Sequence, residues 1–115
     1  MRVGIDTILI KRFEKKSKNF IDKTFTFSEQ EYVKTRKNLA ESYAGLFACK
    51  EAFLKACEVG VLNGISLLDI EILHAKTGAP YLNISKQIRK TFKIKNVCVS
   101  LSHDGDNAVA ICVLN

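Results

Sequence analysis

Two carboxylates and one lysine give this chain its first suggestion of chemistry. Asp6 interrupts an apolar run near the start, and Glu51 lies mid-way along a helical pattern beside a row of alanines. Carboxylates set where backbone packs closely are costly unless a cation meets them. Two cations are available. Lys55 follows Glu51 by one helical turn and could pair with it, as i,i+4 partners commonly do. Alternatively, Asp6 and Glu51 share a hard divalent ion such as magnesium, which proteins hold through one or two carboxylates plus substrate phosphates. The residue pattern leaves both open. His103, in a predicted turn, suits a surface or structural hydrogen-bonding role as well as a catalytic one, and His74 offers less. Gly60, Gly64 and Gly78 allow tight loops near a ligand without demanding one.

The elements that must position these groups read as α+β, a small antiparallel sheet packed on one long helix. Val3 and Ile5 alternate with Gly4 and Asp6, so a short strand turns Asp6 to the face opposite the apolar pair. Residues 8–20 read as a helix with a heavily basic outer surface. Ser28 and Glu31 have capping-box spacing, with Phe27 and Tyr32 as a hydrophobic staple, and predict a helix over 29–36. Asn38 and Glu41 start the longest helix, from Leu39 to Cys57, which ends near Gly60. Within it, Ala44, Ala48, Ala52 and Ala56 recur every four residues, a ridge without bulk that lets another element come close. Phe47, Glu51 and Lys55 form the neighbouring row. Strands are expected at 69–73 and 80–84, joined by a turn at Thr77-Gly78-Ala79-Pro80. Ser85 caps a short basic helix reaching Phe92. Antiparallel strands at 97–101 and 108–114 then follow, with a bend from Ser102 to Asp106 between them.

With 115 residues the chain fits a single domain, 1–115, small enough that association would strengthen it. Charges interrupt every apolar run short of membrane-spanning length, and the N-terminus lacks a signal-peptide layout. A cytoplasmic protein without membrane contact is expected. Cys49, Cys57, Cys98 and Cys112 show no zinc-like pairing and are expected to be buried, inert thiols. The net charge is +6. Its basic residues gather in two stretches, from Lys11 to Lys23 and from Lys86 to Lys95. Such a surface suits nucleic acid, an anionic membrane, an acidic protein or a phosphorylated small molecule. No interleaving of aromatic and basic residues favours nucleic acid.

Several short words of the sequence stand in a telling order. Gly4-Ile5-Asp6 precedes Lys11-Arg12-Phe13; Phe25-Thr26 comes with Glu29 and Tyr32; the helical segment from Glu41 to Ala56 follows. Asp69-Ile70-Glu71-Ile72, Gly78-Ala79-Pro80 and Val99-Ser100-Leu101-Ser102-His103-Asp104 complete the set. This ordered set resembles the holo-acyl-carrier-protein synthases over nearly the whole chain.

That resemblance implies the small 4′-phosphopantetheinyl transferase fold, assembled as a homotrimer with active sites between subunits. It implies transfer of 4′-phosphopantetheine from coenzyme A to a serine of an acidic acyl carrier protein, in fatty acid biosynthesis, with adenosine 3′,5′-bisphosphate released. Asp6 and Glu51 would be the magnesium ligands. Lys55 would be the general base or a cation beside the phosphate, with a metal-bound water as the competing base. The matching further assigns Lys50, Gly60, Pro80, Ser102 and His103 to coenzyme A, and Arg12 to docking of the carrier. Two departures stand out. Leu46 replaces an arginine that reaches the nucleotide 3′-phosphate, and Glu58-Val59-Gly60 replaces a Gly-x-Gly turn. A lysine of the 86–95 stretch from a neighbouring subunit could take over the phosphate. The rival readings are a small basic nucleic-acid-binding domain and a non-catalytic carrier-binding relative. The joint presence of Asp6, Glu51 and Lys55 argues against the second.

Overall fold

Gly4 sets the distance at which the sheet meets the long helix. In the computed structural model, which describes residues 1–58 and 64–115, strand β1 (Arg2–Leu9) lies against helix α3 (Leu39–Ala56). A Cβ added to Gly4 would overlap the Ala52 carbonyl oxygen and stand 2.5 Å from the Ala56 nitrogen. Strand backbone therefore touches helix backbone. Ala44, Ala48, Ala52 and Ala56 are all buried, so the alanine ridge does serve as the docking surface.

Strands β1, β4 (Val97–Asp104) and β5 (Asn107–Leu114) form one antiparallel sheet in the order β1-β5-β4. Side chains alternate across it. Gly4 and Ile8 of β1, with Ala108, Ala110, Cys112 and Leu114 of β5, are buried on the helix side. Val3, Ile5, Leu9 and Ile111 are exposed on the other side. Asp6 shares the inner face of β1, so the carboxylate points toward the helix while its apolar neighbours face outward.

A second antiparallel pair, β2 (Ile70–His74) with β3 (Pro80–Ile84), packs beside β4. It is tied to α3 and to the start of α2 (Phe27–Lys34) by a fully buried ion pair. Lys50 Nζ lies 2.8 Å from Glu29 Oε1 and donates to the Leu67 and Ile70 carbonyls at 2.7 and 2.6 Å. Glu29 in turn accepts from the Thr26 and Ile72 amides, each at 2.8 Å. Buried charges are tolerable only when satisfied this completely. Among the described residues, no buried side-chain nitrogen or oxygen lacks a partner.

Several boundaries differ from the sequence-based expectation. The helix expected over 8–20 is replaced by the end of β1, a 3-10 turn at Ile10–Phe13 and helix α1 (Lys18–Thr24). Ile8 and Leu9 pair with Ala108 and Asn107 in the sheet, and Ser17 caps α1 by accepting from the Phe20 amide. The capping box is Thr26 with Glu29, not Ser28 with Glu31. Strand β4 continues through Ser102 and His103 to Asp104, leaving only Gly105 and Asp106 for the turn. Helix α3 starts on Asn38 and closes on Cys57, as expected; Glu58 then takes φ +64°, a conformation that glycine usually supplies. Ser85 caps α4 (Lys86–Thr91). Among the described residues, no helix is long and apolar enough to cross a membrane.

Because a methyl group at position 4 collides with backbone, it cannot be absorbed by a rotamer change. Gly4→Ala should lower the unfolding free energy by about 3 kcal/mol or more in denaturant titration. A variant as stable as the parent would show that β1 can slide on α3 without loss.

Candidate active site

The contact between β1 and α3 brings three charged side chains to one place. Lys55 reaches back to β1 and donates to Asp6 Oδ1 at 3.1 Å and to the Ile5 carbonyl at 3.0 Å. The Asp6 side chain is only 15% exposed, whereas that of Lys55 keeps 55% of its surface and faces solvent. The lysine thus pairs across to the strand and not with Glu51, one turn before it. Among the described residues, Glu51 has no ion-pair partner within salt-bridge distance. Burial pushes the carboxyl of half-buried Glu51 up from the ordinary value, and the charge of Asp6 adds to this; Lys55 and Arg12 oppose it.

Asp6 and Glu51 therefore share one electrostatic environment. A partly desolvated carboxyl beside a second negative charge binds its proton more tightly, as Glu51 does, and the same field favours a metal cation. The donor set fits a hard divalent ion. Among the described residues, no three or more potential ligands cluster together. An ion held by two carboxylates keeps positions for phosphate oxygens and water, as magnesium usually does. Arg12, in the turn after β1, is exposed and close enough for its charge to act on Glu51.

The other expected site residues lie apart from this trio. A cavity of about 230 Å³ is lined by parts of α2, α3, β3 and β4, with Leu46, Pro80 and His103 in its wall. His103 Nε2 lies 3.2 Å from the Glu41 carbonyl, and Nδ1 is 3.8 Å from the Glu41 carboxylate. A carbonyl can only accept, so Nε2 carries the proton. Ser102 neighbours His103 in sequence but points to the opposite face of β4. There it lines a shallow depression with Ile5 and Ile111. Gly60 lies outside the described residues.

Lys50 requires a correction. Matched to a coenzyme A contact, it is fully buried and its ammonium is engaged by Glu29 and two carbonyls. Burial depresses its pKa, an effect that Glu29 opposes. Its side chain serves the core. Cys98 is corrected as well: it is exposed, while the other three thiols are buried as expected. Burial pushes Cys49 and Cys112 up to about 12 and Cys57 to about 11, so none of these is a thiolate nucleophile at neutral pH.

Sequence reasoning assigned no role to several residues of the cavity. Gly45 makes room for His103, since a Cβ there would stand 3.0 Å from Nε2. Its signal was available: glycine inside a helix costs about 1 kcal/mol relative to alanine, which asks for a packing reason. Tyr32 and His74 stack with ring centroids 3.7 Å apart and planes 5° from parallel. Arg36 lies over the Tyr32 ring at 5.6 Å. Nothing local in the sequence pairs Tyr32 with His74, 42 positions apart.

Residues 2–112 match the family model described as the 4′-phosphopantetheinyl transferase superfamily. The chain is 44% identical over 115 residues to a holo-[acyl-carrier-protein] synthase of Campylobacter jejuni, with 96% of each chain covered. It is 40% identical over 118 residues to that of Geobacter metallireducens, covering 96% of this chain and 94% of the relative. Its fold is similar to the Helicobacter pylori holo-[acyl-carrier-protein] synthase in complex with coenzyme A. That likeness has a TM-score of 0.90 and 36% identity over 98% of this chain and 99% of the other. The Bacillus anthracis synthase in complex with CoA (3′,5′-ADP) gives 0.84 and 36%, over 98% and 94%.

Burial and Asp6 make Glu51 hold its proton more tightly in the folded than in the unfolded chain. The resulting destabilisation is fully present above the folded pKa and disappears as pH falls through it toward the unfolded value. In metal-free buffer at neutral pH, Glu51→Gln should therefore melt at a higher temperature than the parent, and the difference should shrink on acidification. A variant that melts lower at neutral pH would remove the repulsion between the two acids.

Proposed function

Since the chain belongs to the holo-acyl-carrier-protein synthases of the 4′-phosphopantetheinyl transferase superfamily, we propose that it moves 4′-phosphopantetheine from coenzyme A to a serine of an acidic apo-acyl carrier protein. The observation that supports this best is the half-buried Glu51 carboxyl, raised by burial and by the charge of Asp6, with a solvent-facing lysine beside the pair. Asp6 and Glu51 would hold a magnesium ion, which when bound supplies a Lewis acid for the diphosphate and offsets charge on the departing oxygen.

The carrier's serine oxygen attacks the phosphorus that bears pantetheine. The bond from that phosphorus to the bridging oxygen breaks, and adenosine 3′,5′-bisphosphate leaves with the bridge oxygen. The serine proton passes to a base. Lys55 either takes that proton, having first given up its own, or stays an ammonium and steadies the phosphate. Its tether to Asp6 and to the Ile5 carbonyl orients it for both roles. Pro80, His103 and Ser102 are proposed coenzyme A contacts. Arg12, among Lys11, Lys15 and Lys16, suits the docking of an acidic carrier, where surface charge chiefly raises the association rate. Holo-carrier made in this way would serve fatty acid biosynthesis in the cytoplasm.

A homotrimer with shared active sites is part of the proposal. Val3, Ile5 and Ile111 are 61%, 59% and 40% exposed on one sheet face, an apolar surface that favours association. Ser102 lies on that face and His103 on the other, so a ligand touching both would pass the edge of β4 or bridge two copies.

Incubation with coenzyme A, magnesium and a cognate apo-carrier should add one phosphopantetheine to the carrier by intact mass. An unmodified carrier overturns the transferase reading. Asp6→Ala and Glu51→Ala should each lower kcat/KM by at least about a hundredfold; full activity in both would dismiss the acid pair. In sedimentation, the parent should run as a trimer and Ile5→Glu as a smaller species. A monomeric parent sinks the trimer.

A further inference from the structure

The chain holds no acidic residue between Glu71 and Asp104, while Lys86, Arg89, Lys90, Lys93 and Lys95 crowd into ten positions of that interval. Helix α4 buries Ile88, and Ile94 just after it is buried too, which leaves Lys86, Lys90 and Lys93 exposed. Spacings of four and three put these lysines on one face. Among the described residues, none of the three lies within salt-bridge distance of an acid. Like charges one turn apart destabilise a helix, so local stability does not account for the row.

The backbone is strained at the same place. Helix α4 closes as a Schellman turn, in which the Ile94 amide donates to the Arg89 carbonyl at 2.8 Å and the Lys93 amide to the Lys90 carbonyl at 3.3 Å. Lys93 takes φ +54°, in the left-handed region that glycine enters without steric cost. A lysine there costs stability and supplies one more charge. Half-buried Arg2 and Arg89 donate to the Phe92 and Lys95 carbonyls at 2.6 and 3.4 Å, so two guanidiniums are fixed at this turn while the lysines stay free.

We propose that this face of α4 binds the surface of an anionic lipid bilayer. It sits at the end of the sheet where Arg2 pairs with Leu114 and Leu114 with Val97. Arg12, assigned to the carrier, follows the other end, where Leu9 pairs with Asn107. Strand β1 alone sets those ends about 23 Å apart, so the two basic surfaces are distinct. The exposed positions of α4 and its closing turn, Lys86, Gln87, Lys90, Thr91 and Lys93, include no apolar or aromatic side chain. A protein partner is usually anchored by such side chains, and single-stranded bases stack on aromatic ones. Lysines are point charges on flexible stems that need no fixed partner geometry, which suits a fluid layer of phosphate headgroups. Contact is peripheral, because no apolar face enters the bilayer. This replaces the expectation of a protein without membrane contact, which rested on the lack of a spanning segment.

The test is co-sedimentation of the intact protein with vesicles of phosphatidylcholine, alone or mixed with phosphatidylglycerol. The mixed vesicles should bind the protein at low salt and release it at high salt, and the neutral ones should not bind it. Each lysine near such a surface contributes roughly fivefold, so Lys86→Gln combined with Lys90→Gln should lower the partition about 25-fold. The same loss of charge at Lys11 and Lys15 should lower it far less. Lys93→Gly should bind roughly fivefold more weakly yet melt higher, because glycine relieves the turn. Equal losses from the two double variants, a Lys93→Gly variant that binds as the parent does, or no binding to the mixed vesicles overturns the proposal. So does tighter binding to duplex DNA than to those vesicles at the same salt, which would assign the face to nucleic acid. Neither coenzyme A nor carrier enters the measurement, so its outcome is separate from that of the transferase reading.

Discussion

The site depends on two backbones touching. Where β1 crosses α3, glycine on one side and alanines on the other leave no side chain between them. Only at that distance can a helix lysine reach the strand carbonyl next to the crossing point. Only there does the charge of Asp6 act on Glu51. Separating the elements by one methyl layer would lengthen the contacts of Lys55 with the strand and weaken the action of Asp6 on Glu51. The chemistry is thus a property of packing first and of residue type second.

A second junction, of opposite character, organises the remainder. Lys50 and Glu29 join α3, the start of α2 and β2 through charge, within the apolar core that Val33, Ile70 and Ile72 share with α3. Removing one member of such a pair strands the other, typically at about 3–5 kcal/mol. This junction sets where α2 and β2 stand, and with them Tyr32, Arg36 and His74. One close contact therefore frames the acid pair, while one buried ion pair frames the cavity. Both act through α3, the element that all parts of the site share.

What could be read from the sequence was what local rules decide. The four-residue alanine repeat, the Asn38 start and the Ser85 cap each follow from neighbours along the chain, and each appears in the structure. Errors arose where distant residues choose between local options. Thr26 with Glu29 and Ser28 with Glu31 have the same spacing; the former pair wins because Glu29 is also held by Lys50 and the Ile72 amide. Residues 8–20 carry a basic pattern that tolerates a helix, but Ile8 and Leu9 gain sheet partners near the far end of the chain. Lys50 and Lys55 belong to one motif, and only the direction of the core tells the buried lysine from the solvent-facing one. The stack of Tyr32 on His74, which holds Arg36, is likewise invisible without the fold.

An amine sealed inside a protein is silent to reagents. Lys50 is held by acceptors from α2, from the turn before β2 and from β2 itself, so acylation there must wait until those segments part from α3. Lys55 and the other surface lysines record merely how often reagent arrives. The ratio of the two labelling rates, read by peptide mass, gives this chain an intrinsic gauge of how often α2 and β2 part from α3.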